Sequence, residues 1–373
     1  MLNIESIRLI NFRNYLNLNL QLNNKINVFI GKNAQGKTNF LEAIYLCATG
    51  RSFRTNSDRD MINFDKNEAY VGALMDVDNY KRFIEVKLER SNPKTIRINK
   101  NPLESNKELN SGLNVVVFSP DDLSLVKDGP AIRRGFLDRE ISQIRPVYGY
   151  NLRRYERILY QRNNILRSPR TDREKRELLE VFDLQLVKYG ASLLKERQEY
   201  IKELGRIARL VHKNVTRSNE DMVLDYVTNI EVCDDLNHLE KAYLAGIREN
   251  LSKDIYNRTT ALGPHRDDMK IIVNGKDLRV FGSQGQQRTA VLSIKLSEVE
   301  LIRGERGSYP ILLLDDVFSE LDRERRKYLV KSLREIQTII TVIDAVNLEE
   351  LEAMDKTVFK VDDGFIEEER YLL

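Results

Sequence analysis

Two cysteines, Cys47 and Cys233, are all that the sequence holds, too few for a disulfide framework or a thiolate metal cluster. The three histidines (His212, His238, His265) are scattered and tryptophan is absent, so no histidine-based zinc or haem motif is available. No charged-then-apolar leader opens the chain. No apolar run approaches the roughly 20 residues that a membrane helix needs. The expectation is a soluble, reduced, cytoplasmic protein with no membrane partner. Net charge is nearly missing too: 60 basic against 57 acidic residues leave +3, so partners must be read from where charge sits. There is no internal repeat and no low-complexity linker. At 373 residues the chain can bury a large core and divide into two or more lobes.

Against these absences stands one complete motif. Gly31, Lys32, Asn33, Ala34, Gln35, Gly36, Lys37 and Thr38 fit G-x-x-x-x-G-K-[ST] without a mismatch. Lys25 to Ile30 reads as a short buried strand before it. Asn39 to Cys47 reads as a helix after it, with Phe40, Leu41, Ile44, Tyr45 and Cys47 on a wide apolar face. That order is what phosphate chemistry requires. Glycines let backbone N–H groups close round phosphate oxygens, and the new helix turns its positive end on them. Lys37 is placed to bridge the β- and γ-phosphates, and the Thr38 hydroxyl to bind Mg²⁺. The expected cofactors are ATP and Mg²⁺.

The rest of the first third reads as a mixed sheet. Ile4 to Ile10 is strand-like, Tyr15 to Leu22 alternates strictly, and Ala69 to Met75, Arg82 to Leu88 and Thr95 to Asn99 form a meander. Thr49-Gly50-Arg51-Ser52-Phe53-Arg54 is a basic loop near the nucleotide end. Val115 to Phe118 is a buried strand ended by Ser119-Pro120.

The middle changes character. From Ala131 to Arg176 there are twelve arginines and one lysine against five acids, with Tyr148, Tyr150, Tyr155 and Tyr160 interleaved. Thr171-Asp172-Arg173-Glu174 has capping-box spacing, and a helix from there continues toward Val211. A second helix is expected from Asn237 to Tyr256. Heptads are not sustained, so the insertion is expected to be an arm of antiparallel helices no longer than about 30–40 Å. Arginines suit phosphate contacts and tyrosines suit stacking on exposed bases, which makes Arg133, Arg134, Arg153, Arg154, Arg157 and Arg162 candidate DNA ligands. A solvated helical face explains any one of them equally well.

The last third returns to α/β. Met269 to Val273 and Asp277 to Phe281 flank Asn274-Gly275, a strong hairpin signal. Pro310 to Asp316 is a buried strand ending in two acids, and Thr338 to Ile343 is another strand. Asp315 in this Walker-B position would hold Mg²⁺ with Thr38, and Asp316 would orient and deprotonate the attacking water. Two acids after a buried strand also fit a helix cap. Ser283, Gln284, Gly285 and Gln286 open a helix and resemble the Ser-Gly-Gly-Gln signature of ABC-type ATPases, with Gln284 replacing one glycine. In that class the signature of one subunit closes on the nucleotide held by the other, so Ser283, Gly285 and Gln286 join the nucleotide-binding set. Ser319-Glu320-Leu321-Asp322 matches the D-loop that follows, with Ser319 and Asp322 on the dimer seam.

Together with Ile10 to Tyr15, Gly50 to Arg54, Phe118 to Leu123, Arg133 to Asp138, Gly263 to Asp268 and Ser283 to Arg288, these motifs resemble the RecF family of bacterial DNA repair ATPases along essentially the whole chain. The resemblance implies an α/β ABC/SMC-type P-loop ATPase head with a mixed sheet and an inserted helical lobe. The head is expected over 1–125 and 258–373 and the insertion over 126–257, with the signature at 283–287 at the lobe boundary. It also implies a weak DNA-dependent ATPase acting in recombinational repair and replication-fork restart. Its implied partners are gapped, double- and single-stranded DNA, a second copy in the presence of ATP, and RecR, with RecO and RecA indirectly. Three departures stand out. Asp316 occupies a place where ABC ATPases usually carry glutamate, Thr341 stands where many carry histidine, and no Q-loop glutamine is evident unless Phe118 to Leu123 fills that place. The competing readings are an ABC transporter's nucleotide-binding subunit and an ATP-binding scaffold without turnover.

Overall fold

Alternating apolar residues in the first hundred positions build an antiparallel sheet. In the computed structural model, which describes residues 2–77, 80–103, 109, 113–344 and 349–369, six strands lie in the order Tyr15–Gln21, Leu2–Phe12, Glu68–Val77, Tyr80–Glu89, Thr95–Ile98 and Asn101–Pro102. Ile4, Ile7 and Leu9 all face the core although the first step is odd. A register shift between Ile4 and Ser6 absorbs the extra residue.

A second six-stranded sheet has the order Phe365–Glu368, Lys356–Asp362, Ile26–Ile30, Thr338–Val342, Ile311–Asp315 and Val115–Phe118. All its pairings are parallel except that of the Phe365–Glu368 edge. Strands Ile26–Ile30, Ile311–Asp315 and Thr338–Val342 are near-continuous buried runs, as strands covered on both faces require. Helix Lys37–Thr49 is buried almost all round, and Phe40 packs on Phe29 (ring centroids 4.4 Å apart), which stacks in turn on Phe359. Residues of both sheets and this helix share one core.

Two compact units make up the chain: Met1–Leu123 with Asn214–Arg217 and Arg288–Leu373, and Ser124–Lys213 with Ser218–Gln287. The insertion thus begins close to the expected 126 but keeps 258–287, which the sequence reading gave to the head. The cause is strand Asp268–Val273, which pairs along its length with Met222–Val227, a strand that no motif announced.

The second unit carries helices Pro130–Ile144, Pro146–Arg167, Asp172–Val215 and Leu236–Asn257, besides its three-stranded sheet. It is therefore not an all-helical arm. Nor does the 30–40 Å limit hold. Helix Asp172–Val215 has 44 residues, about 66 Å at 1.5 Å per residue. Its buried stripe does recur at about seven residues, through Leu179, Leu186, Leu193 and Tyr200, but the intervening stripe positions are Asp183, Gly190 and Arg197, which hide the repeat from an apolar pattern. Its start is the capping box: Thr171 N donates to Glu174 Oε2 (2.8 Å) and Glu174 N to Thr171 Oγ1 (3.4 Å). The Asn274-Gly275 turn has positive φ at both residues, but only Lys276–Asp277 pairs back. Leu278–Phe281, expected as strand, is a helical turn capped by Asp277, whose carboxylate accepts from Arg279 N at 2.9 Å. Among the described residues no helix is long and apolar enough to cross a membrane.

Candidate nucleotide-binding site

Strand Ile26–Ile30 delivers the glycine loop directly onto the N-terminus of helix Lys37–Thr49. A Cβ on Gly31 would lie 2.3 Å from the carbonyl oxygen of Val361, so only glycine allows that backbone approach. Gly36 caps the helix at φ 114°, a conformation open to glycine. The loop is braced from outside: Asn14 Nδ2 donates to Gln35 O (2.9 Å), Tyr15 OH to Gly36 O (3.0 Å) and Gly364 N to Gln35 O (3.1 Å). This is the work of the Asn14-Tyr15 pair in the first motif.

Lys37 is 7% exposed and its ammonium donates to the carbonyls of Gly31 and Lys32, the latter at 2.8 Å. Burial lowers its pKa, while the charges of Asp316 and Asp315 oppose that shift. Thr38 Oγ1 donates to the Asp315 carboxylate, 3.0 and 2.8 Å from its two oxygens. Thr341 Oγ1 donates to Asp315 Oδ1 (2.7 Å) and accepts from Asp316 N (3.1 Å). One hydroxyl on the central strand thus orients the Asp315 carboxylate and fixes the backbone of Asp316. Asp316 has a left-handed backbone, φ 52°. Its carboxyl is held above the usual carboxylate range, first by burial, and its Oδ1 is buried without a hydrogen-bond partner.

Lys37, Thr38, Asp315 and Asp316 open on a cleft of about 550 Å³, which Arg54 and Ser119 to Asp121 also line. Within the Phe118 to Leu123 segment, Ser119 to Asp121 therefore border the candidate nucleotide site. Arg54 is set by a residue the sequence reading passed over. Glu42, fully buried in the loop's own helix, accepts two hydrogen bonds from Arg13 (2.8 and 2.7 Å) and one from Ser52 (2.5 Å), and pairs with Arg54 at 3.5 Å. Nothing in the pattern distinguished Glu42 from an ordinary helix surface acid. The donor set fits Mg²⁺: a hydroxyl and a carboxylate side by side, beside a phosphate cradle, supply the few hard oxygen ligands that this ion takes from protein.

Ser283, Gly285 and Gln286 lie in the second unit. Ser283 is exposed at the start of helix Gln284–Arg306, with Gln286 N donating to its Oγ (3.3 Å) and Ser283 N donating to Gln286 Oε1 (3.0 Å). Gln286 is also held by Glu220, 2.8 Å from its Nε2. In the first unit Ser319 Oγ donates to Asp316 O (2.7 Å) and Asp322 caps helix Arg323–Ser332.

The arginine set divides. Arg162 is 0% exposed, held by Asp183 and Asp254 at 2.7 Å each, and Arg133 is buried on Asp268 at 2.6 Å. Neither reaches a nucleic acid, because each neutralises carboxylates inside the fold. Arg134 donates to Asp267 O (2.8 Å) and is half-buried. Arg153, Arg154 and Arg157 are exposed on helix Pro146–Arg167, with Arg154 over the Tyr150 ring. Tyr148 and Tyr155 are core residues and Tyr160 is exposed. The 263–268 motif has a structural task. Buried Arg197 donates to Asp138 Oδ1 (2.7 Å) and Pro264 O (2.6 Å), so it and Arg133 clasp the 133–138 motif to it. His265 bonds Tyr155 OH (2.6 Å) and Thr260 O (3.1 Å).

A parallel sheet with a glycine loop after one strand and a threonine-oriented aspartate pair after another, joined to an antiparallel sheet, defines an ABC-type P-loop ATPase head. Residues 3–367 match the family described as RecF/RecN/SMC N terminal domain. The DNA replication and repair protein RecF of Alkaliphilus oremlandii is 45% identical over 98% of this chain and 100% of its own length. That of Clostridium novyi is 44% identical over 97% and 99%. A solved structure of the recombination mediator protein RecF with ATP in the RecFOR pathway superposes with TM-score 0.89, at 36% identity and covering 99% of both chains. An Smc head domain from Pyrococcus furiosus shares the fold at TM-score 0.56 and 14% identity, over 99% of this chain and 96% of its own. The chain belongs to the RecF family of DNA replication and repair proteins.

Proposed function

We propose that this protein is an ATP-gated clamp on DNA. The observation that carries the reading is the buried Lys37 ammonium beside the Thr38–Asp315 pair in an open cleft, an arrangement suited to a nucleoside triphosphate. A solved relative with ATP supports the choice of ligand. ATP lies with its phosphates in the loop's amides, Lys37 neutralising charge on the β- and γ-phosphates. Mg²⁺ held by Thr38 and Asp315 supplies charge neutralisation when bound. Asp316, whose carboxyl burial makes more basic, takes the proton of the attacking water. An aspartate shorter than the usual glutamate makes a slow base, as a timer requires.

Ser283 and Gly285 of one copy close on the nucleotide of another, with Ser319 and Asp322 along the seam. Two copies held this way present Arg153, Arg154 and Arg157 twice to one DNA, so ATP sets DNA affinity through geometry. Hydrolysis then releases the clamp; the RecFOR setting of the solved relatives supports RecR and RecO as partners, and loading of RecA on gapped DNA is the task this reading assigns. The test is the solution mass with no nucleotide, ADP or ATP-Mg²⁺, with and without gapped duplex. Dimers should form only with ATP and tighten with DNA; a monomer throughout removes the clamp. Lys37→Ala should abolish nucleotide binding in calorimetry, whereas Ser283→Arg should bind ATP as a monomer and fail to dimerise.

A further inference from the structure

We propose that Val280 and Phe281 form the apolar anchor by which a second copy of this chain is held at the signature. The inference rests on the trans-signature reading above and adds a surface that no motif assigns. Both side chains are exposed, Val280 67% and Phe281 69%, while Leu278 of the same helical turn is 2% exposed. Single exposed apolar residues are ordinary on protein surfaces. These two are consecutive, and they stand two and three residues before Ser283. Phe281 Cα is therefore within about 7 Å of Ser283 Cα, which places Phe281 next to the residue that the trans-signature reading gives to the partner.

The turn is also rigidly presented. Asp277 caps it, Gly282 N donates to Leu278 O (3.1 Å), and the Gln287 carboxamide reaches Gly282 O (3.4 Å). A Cβ on Gly282 would sit 2.5 Å from Leu278 O, so the tight passage from this turn into the signature depends on glycine. Preorganised apolar surface loses little side-chain freedom on docking. Arg279, exposed beside the pair, adds a positive charge suited to a partner loaded with nucleotide phosphates. An aromatic side chain with a neighbouring arginine is the composition of interface hot spots.

The test is the dimer dissociation constant in ATP-Mg²⁺ by sedimentation for wild type, Phe281→Asp, Phe281→Leu and Phe64→Asp. Phe64 is 97% exposed in the other unit and serves as the control. The change is present on both copies of a two-fold dimer, so roughly tenfold per copy compounds to about 100-fold for Phe281→Asp. Phe281→Leu should stay within about tenfold and Phe64→Asp near wild type, with monomer ATP affinity unchanged in all. Phe281→Asp dimerising within about threefold of wild type, or Phe64→Asp weakening the dimer equally, overturns the anchor. A wild type that stays monomeric with ATP, or Ser283→Arg that dimerises normally, instead overturns the reading beneath it, and the anchor with it.

Discussion

Arginine was the most misleading residue to read from sequence, since its charge says nothing about whether it faces solvent or buried acids. Arg162 faces Asp183 and Asp254, which lie far along the chain. Arg162→Ala would leave both carboxylates buried and uncompensated, and should cost about 3–5 kcal/mol in urea unfolding. A loss under 1 kcal/mol would mean that the triad is not buried in solution. His265 supplies the opposite kind of case, a titratable group kept neutral. Burial pushes its pKa from 6.5 to about 4, so between those values the unfolded chain binds a proton that the native chain refuses. Its contribution to stability is whole above about pH 6.5 and is lost as pH falls to about 4. The stability gap between wild type and His265→Gln should narrow over that window by up to about 3 kcal/mol. A gap constant with pH would remove His265 as the group responsible.

Elements were more legible than residues. The glycine loop with its flanking strand and helix, strands Val115–Phe118, Ile311–Asp315 and Thr338–Val342 and the capping box at Thr171 follow from local periodicity and turn chemistry and stand close to where the pattern put them, whereas the inner strand Lys356–Asp362 was not announced. What escaped needed a partner distant in sequence. Met222–Val227 is a strand because Asp268–Val273 lies beside it, and helix Asp172–Val215 runs 44 residues because one face of it, from Leu179 to Val211, is buried along its length. Close approach is equally invisible in sequence. Gly190, inside that helix, has Tyr243 Cε1 at 2.6 Å and Tyr155 Cε2 at 3.0 Å from where a Cβ would sit, whereas Gly135 in helix Pro130–Ile144 has nothing within 4 Å. Gly135→Ala should therefore stabilise by up to about 1 kcal/mol through helix propensity. Gly190→Ala should destabilise by about 1–3 kcal/mol through overpacking. Thermal unfolding of the two variants decides it, and equal signs would refute the packing argument.

For the whole molecule, the proposed clamp makes DNA affinity a matter of copy number. Replacing Arg153, Arg154 and Arg157 together by alanine should lower the slope of log affinity against log salt by about 3 per chain, and by twice that in an ATP-held pair. A slope unchanged by the triple substitution would place DNA elsewhere on the surface.

The order of strands in the parallel sheet also governs how the chain comes off the ribosome. Strand Ile26–Ile30 is made at the outset, yet both its neighbours, Thr338–Val342 and Lys356–Asp362, come from the last tenth of the chain. At about 5–20 residues per second of synthesis, that strand waits some 15–60 seconds with both edges unpaired. The antiparallel sheet and the inserted unit are complete well before then. The phosphate loop thus lacks its platform until residues 338–362 have been made, however much of the fold is already in place.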